Sequence, residues 1–215
     1  MALKQAIAPL VDLVYPPRCP LCGDAIAAQD GLCVPCWSTL EIPEPDPQRP
    51  DIVAATLYTD TARKLVLSLK HGRKIALATM MARQMAGRLG ALEGNWLAVP
   101  VPLHPVRLWQ RGFNQSALMA RELCKRSGAR LCVDGLKRTR QTPSLGGLGK
   151  AARAEVLEGA IAANPRRKAE LQGASVLLVD DVLTSGATTN ACITALRSAG
   201  ARHIRIVCFS RVVEH

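Results

Sequence analysis

The reading of this chain turns on one stretch, Val176-Leu177-Leu178-Val179-Asp180-Asp181-Val182-Leu183-Thr184-Ser185-Gly186-Ala187-Thr188-Thr189. Its four leading apolar residues show no alternation, the pattern of a strand buried on both faces in a parallel sheet. Two adjacent carboxylates, Asp180 and Asp181, follow at the expected carboxyl end of that strand. Thr184, Ser185, Gly186, Ala187 and Thr188 then make a small, hydroxyl-rich turn that opens a helix. Open α/β sheets bind ligands at the carboxyl ends of their strands. Such a turn aims backbone N–H groups and hydroxyls at one anion, and the helix N-terminus adds partial positive charge. Gly186 lets the backbone come close to that anion. The carboxylates suit a diol, or a hydrated magnesium ion attached to one. A phosphate and a diol on one ligand describe a ribose 5-phosphate compound. The alternative is a plain strand whose acidic residues cap the next helix, and the whole string is more specific than that. No G-x-x-x-x-G-K-[ST] string occurs, which excludes a Walker A loop.

Outward from this stretch, strands and helices alternate. Residues 52–58, 96–101 and 203–212 read as strands; 61–70, 75–89, 113–126 and 188–199 read as helices. The apolar face of the 113–126 helix is expected at Ala117, Leu118, Leu123 and Cys124. A polar, glycine-rich stretch covers 138–149. The alternation predicts an α/β fold, a mainly parallel sheet flanked by helices. Residues 3–15 have helical apolar spacing, and 42–50 are too rich in proline for a helix or a central strand. The expected division is a small module over 1–45 and an α/β domain over 51–215.

The small module carries Cys19-Pro20-Leu21-Cys22 and Cys33-Val34-Pro35-Cys36. Two residues between thiolates let a tight turn aim both sulfurs at one ion, and two such knuckles complete a closed, structural four-thiolate zinc site. A segment this short has too little core to fold alone, so metal binding supplies the missing free energy. A redox pair is the alternative, but redox motifs seldom come twice at ribbon spacing. Cys124, Cys132, Cys192 and Cys208 sit singly in apolar patterns and read as small buried hydrophobes.

With 28 basic and 17 acidic residues among 215, the formal net charge is +11, and it is unevenly spread. Residues 1–50 carry −3, whereas 102–153 carry +9. A basic block of this kind points to an anionic partner, a phosphorylated small molecule or nucleic acid, unless it is only a solvated surface. Few aromatics lie within it: Trp109 and Phe113. No apolar run is long enough to span a membrane, and the first residues do not read as a signal peptide. The expected location is the cytoplasm, with the cysteines as thiols or metal ligands.

The stretch at 176–189 resembles the phosphoribosyl-pyrophosphate (PRPP) motif of type I phosphoribosyltransferases. The chain as a whole resembles the competence protein ComF family, which joins a double zinc ribbon to a phosphoribosyltransferase domain. The likeness extends to Leu69-Lys70-His71-Gly72-Arg73, Val99-Pro100-Val101-Pro102-Leu103-His104 and Arg111-Gly112-Phe113-Asn114-Gln115. The resemblance implies that Asp180 and Asp181 hold the ribose hydroxyls of PRPP, with magnesium, and that Thr184, Ser185, Gly186, Ala187 and Thr188 hold the 5-phosphate. It places pyrophosphate at Val101, Pro102, Leu103 and His104. Lys70, Arg73, Arg107 and Arg111 are the candidate cations there, Arg111 foremost because it lies within a family signature. It also implies a role in natural transformation, with single-stranded DNA and other competence proteins as partners. Arg138 and Arg140 join Arg107 and Arg111 as phosphate contacts for such a strand.

Two positions depart from the family pattern: Leu145 stands where a glutamine is usual and Val156 where an asparagine is usual, with Arg153 retained. The resemblance puts both in the segment that closes over the transferase site of the family, which bears on turnover. Catalytic residues and an acceptor are not legible. Two expectations therefore stand: a PRPP-binding accessory factor that handles DNA, and an active magnesium-dependent transferase, similar to amidophosphoribosyltransferases, with an unidentified acceptor.

Overall fold

The computed structural model describes residues 16–28, 31–71, 74–140 and 159–213. The helix expected over 3–15, Arg73, Leu145, Arg153 and Val156 lie outside the described residues.

A short helix, α1 (Val34–Trp37), is followed by β1 (Ile52–Leu57), α2 (Asp60–His71), α3 (Ala76–Leu89) and β2 (Trp96–Pro100). Then come α4 (Pro105–Arg111), α5 (Gln115–Ser127), β3 (Arg130–Leu131), β4 (Leu136–Arg138) and β5 (Ile161–Ala163). The 3-10 turn Pro165–Arg167 and α6 (Lys168–Leu171) lead into β6 (Ser175–Leu183), α7 (Ala187–Ser198) and β7 (His203–Arg211). Five strands form one parallel sheet in the order β1-β7-β6-β2-β3, and β4 and β5 form a separate antiparallel pair.

The central strand is β6, and all four residues from Val176 to Val179 are fully buried. Leu177 and Val179 pack on one face with Met119, Ala120 and Leu123 of α5 and with buried residues of α2 and α3. Val176 and Leu178 pack on the other with Cys192, Ala195 and Leu196 of α7 and with Leu136 and Ile161. A strand covered on both faces has no polar side to present, which is why its sequence is apolar without alternation.

The chain steps outward from β2 to β3 but in the opposite sense from β6 to β7. Right-handed crossovers that step in opposite senses put their helices on opposite faces, as α5 and α7 are. The reversal lies between β2 and β6, and there the carboxyl ends of two neighbouring strands part to leave a crevice.

The alternation holds, with local differences. The aspartates lie inside the strand: β6 continues to Leu183 because β7 runs alongside it, pairing Asp180 with Cys208 and Leu183 with Arg211. On the other side β2 stops at Pro100, opposite Val179. The 113–126 helix begins two residues later and buries Met119, Ala120 and Leu123, while Ala117, Leu118 and Cys124 are half-buried. Its Asn114 cap sets the helix phase: Oδ1 accepts from the N–H groups of Ser116 and Ala117. Helix α4, the two-residue β3 and the β4–β5 pair were not expected; each is too short to show a periodicity. The proline-rich stretch is tied down: Glu41 O accepts from Leu57 N at 2.7 Å, Pro43 O from Arg88 Nη2 at 2.8 Å, and Asp46 pairs with Arg211 at 3.1 Å.

Leu178 is fully buried on the central strand. Leu178→Ala should lower unfolding free energy by about 2–5 kcal/mol, read from the urea midpoint at unchanged slope.

Candidate functional site

Beyond Pro100 the neighbour of β6 turns away. Val101 N still donates to Val179 O at 2.9 Å, the last bond on that side, and the next residue of β6 is Asp180. The edge of β6 therefore opens where its carboxylates begin. Both are buried, at 8% exposure for Asp180 and 4% for Asp181.

Two buried carboxylates in sequence need compensating partners. Asp180 Oδ1 accepts from Ser116 Oγ at 3.1 Å and from the Asp181 N–H at 2.9 Å. Asp181 Oδ1 accepts from Val182 N at 2.9 Å, and its Oδ2 pairs with Lys70 Nζ at 2.5 Å. Burial, then the neighbouring Asp181 charge, raise the Asp180 pKa to about 7, against the pull of its hydrogen bonds and of Lys70.

Three polar residues after Gly112 hold this corner. Asn114 caps α5 and donates from Nδ2 to Val101 O at 3.0 Å, fixing the turn that follows β2. Gln115, 5% exposed, accepts from Arg111 Nη1 at 2.6 Å. Ser116, 1% exposed, reaches Asp180. Sequence reasoning missed the roles of Gln115 and Ser116. For Ser116 the signal was present: it falls at helical spacing with Met119, Ala120 and Leu123, a hydroxyl on an apolar face.

Two cavities flank the acidic pair. A small one of about 70 Å³ is lined by Asp180, Val182 and every residue from Thr184 to Thr189. Gly186 takes a left-handed conformation there, with φ 75°, and precedes the first turn of α7, which has no side-chain cap. The second, of about 380 Å³, is lined by Lys70, His71, Arg107, Gln110 and Arg111. Burial lowers the Arg111 pKa; Asp181 raises it and Arg107 lowers it further. Of the expected cations, Lys70, Arg107 and Arg111 thus share one cavity, and Lys70 also neutralises Asp181. Val101, Pro102, Leu103 and His104 line neither cavity. They form the turn into α4, where His104 Nδ1 caps the helix by accepting from Val106 N at 3.3 Å.

In the small module the Sγ atoms of Cys19, Cys22, Cys33 and Cys36 all lie within 4.8 Å of one another. Four sulfurs about 2.3 Å from one zinc stand about 3.8 Å apart, so this donor set fits a tetrahedral ion. Burial opposes the Cys19 thiolate, but the N–H groups of Cys22, Cys33 and Leu21 outweigh it and lower its pKa to about 6. Leu21, Leu32 and Leu40 pack the module against the apolar layer formed by α2, α3 and α5 on one face of the sheet. The other thiols are different in kind. Cys132, Cys192 and Cys208 are buried and Cys124 half-buried, and burial raises all four pKa values. Among the described residues no helix is long and apolar enough to cross a membrane.

The double zinc ribbon domain matches residues 10–47, and the phosphoribosyl transferase domain matches 111–213. A DNA utilization protein YhgH of Salmonella typhimurium is 33% identical over 201 residues, covering 91% of this chain and 84% of the relative. A Competence protein F of Haemophilus influenzae is 26% identical over 196 residues, covering 88% and 82%. The solved glutamine PRPP amidotransferase of B. subtilis is 21% identical over 60% of this chain and 25% of its own, with a TM-score of 0.40.

Two measurements check the electrostatics of both centres. Chain purified without added metal should carry about one zinc per molecule by elemental analysis, following the four-thiolate stoichiometry, and a strong chelator should abolish the order of the N-terminal module. Because the Asp180 pKa is raised on folding, the native chain holds an extra proton between about pH 4 and 7, and this residue's contribution to stability falls as pH rises through that window. Asp180→Asn keeps the Ser116 bond and lacks the titration, so the melting temperature of the variant relative to the parent should rise from pH 4 to 7 and then level off.

A double zinc ribbon joined to a phosphoribosyltransferase domain, with relatives that match about nine tenths of its length, places this chain in the ComF family.

Proposed function

We propose that the site binds PRPP with magnesium. One observation carries this reading: the acidic pair stands between two cavities of opposite character, one lined by hydroxyls at the start of a helix and one lined by cations. PRPP has matching parts in the same order, a 5-phosphate, a ribose diol and a pyrophosphate. In this reading the turn of Thr184, Ser185, Gly186, Ala187 and Thr188 takes the 5-phosphate. Asp180 and Asp181 accept from the ribose hydroxyls. Lys70, Arg107 and Arg111 face the pyrophosphate. Two carboxylates side by side are hard oxygen donors, a set that fits magnesium. Magnesium, when bound, neutralises pyrophosphate charge. Lys70 would compete with it for Asp181 Oδ2.

The cellular role we propose is that of an accessory factor handling single-stranded DNA in natural transformation, acting with other competence proteins. Support comes from relatives named for DNA utilization and competence, and from the +9 balance over residues 102–153. The second reading is turnover, transfer of the phosphoribosyl group to an acceptor. What favours it is Arg111, half-buried and bonded to Gln115, in the cation-lined cavity that this reading gives to the leaving pyrophosphate. There, positioning and charge stabilisation of an oxocarbenium-like transition state are what the protein must supply.

Calorimetry with PRPP and magnesium should show binding to the parent. The double variant Asp180→Asn, Asp181→Asn should bind at least about tenfold more weakly, the loss of one strong charge-assisted contact. Equal affinity in two folded proteins would refute the assignment. A screen for pyrophosphate release over candidate acceptors separates the readings: release dependent on one acceptor establishes the transferase.

A further inference from the structure

Helix α4 is built inside out. None of its seven residues is buried. Arg107, Gln110 and Arg111, at helical spacing, face the cation-lined cavity with Lys70. Val106 and Trp109 are also at helical spacing, on a different side. Trp109 is 86% exposed, the highest value among the exposed large hydrophobic residues described, and Val106 and Leu108 are about 40% exposed beside it. A solvent-facing indole at that exposure contributes almost nothing to the core, so its size and planarity are not explained by folding.

The charged groups on and beside the helix are chiefly cationic: Arg107, Arg111 and Lys70 share one cavity, and Asp181, paired with Lys70, is an anion that acts on Arg111. Burial, then the neighbouring Arg107, lower the Arg138 pKa, so Arg107 stands within electrostatic range of Arg138 as well as of Arg111. Helix α4 thus carries a flat aromatic surface on one side and, on the other, guanidinium groups that share a cavity with Lys70. An apolar protein partner would be matched poorly by that charge. A single nucleic-acid strand offers what the patch lacks, a row of phosphates at the spacing of stackable bases.

Resting on the DNA-handling reading above, we infer that α4 is the docking point for a single strand that passes round the helix, with Trp109 stacking one base on one side while Lys70, Arg107 and Arg111 take phosphates a few nucleotides along on the other. Readout is by π-face, so the site is tolerant of base identity. The low aromatic content of the chain is then no obstacle, because one fully presented ring serves where a buried one such as Phe209 would not. The strand's phosphates occupy the cavity assigned to pyrophosphate, so the two ligands exclude one another.

The test uses the full chain, fluorescence anisotropy, and two probes of equal length and charge: a 15-mer of deoxythymidine and its abasic counterpart. The parent should prefer the base-bearing strand by about tenfold, within the range that aromatic stacking contributes per base. Trp109→Ala should erase that preference while keeping the salt slope, since it removes no charge. Trp109→Phe should retain most of it and lose the quenching of intrinsic fluorescence. At 86% exposure the substitutions should leave the melting temperature unchanged. Equal affinity of the parent for both probes overturns the platform, as does full retention of the preference in Trp109→Ala. Absence of binding to either probe at low salt overturns the platform and the DNA-handling reading together. Sedimentation that shows a Trp109-dependent dimer, with no base preference, assigns the face to a second copy of the chain and overturns the inference.

Discussion

Burying Asp180 and Asp181 side by side sets two like charges where water screens them poorly. Each would be costly alone, and adjacent they raise one another's cost. The neighbourhood answers this. Ser116 is carried to Asp180 on the first turn of α5, and Lys70 is carried to Asp181 on the last turn of α2. Strand β2 ends at Pro100, which leaves the β6 edge open for those side chains and for a ligand. Elements far apart in the chain are thus committed to one short segment of the central strand.

A carboxylate pair held this way costs stability that a hydrophobic pair would not, which marks it as a candidate functional site. Burial, then the Asp181 charge, push the Asp180 pKa up, against the hydrogen bonds and Lys70 that offset them only in part. A cationic partner would complete the compensation, which is the physical link between the buried pair and the proposed magnesium-assisted ligand. Lys70 plays two parts in that arrangement, because it neutralises Asp181 and lines the cavity of Arg107 and Arg111.

The zinc module and the sheet are not independent beads. Leu21, Leu32 and Leu40 rest on the same apolar layer that supports α2, and Lys74 Nζ donates to Pro20 O at 3.2 Å. The connecting prolines also run along the sheet, bonded through Glu41, Pro43 and Asp46. A four-thiolate ion that orders the knuckles therefore helps cover the face on which Lys70 is mounted.

By itself the sequence determined the chemistry of each end of the chain. Paired C-x2-C knuckles specify a four-sulfur cluster because the spacing is local, and an apolar run ending in two aspartates and a hydroxyl-rich turn specifies a buried parallel strand with polar groups at its end. What only the tertiary structure decided is which distant residues meet there. Lys70 and Asp181 are separated by more than a hundred positions; the family resemblance put both near one ligand, but their direct ion pair is a product of tertiary packing that no periodicity shows. The strand extends through the aspartates because β7 continues beside it, a fact of pairing and not of propensity. Helix α4 and its exposed Trp109 could not be foreseen either: seven residues give too short a pattern, and whether an indole lies inside or outside depends on what packs against it.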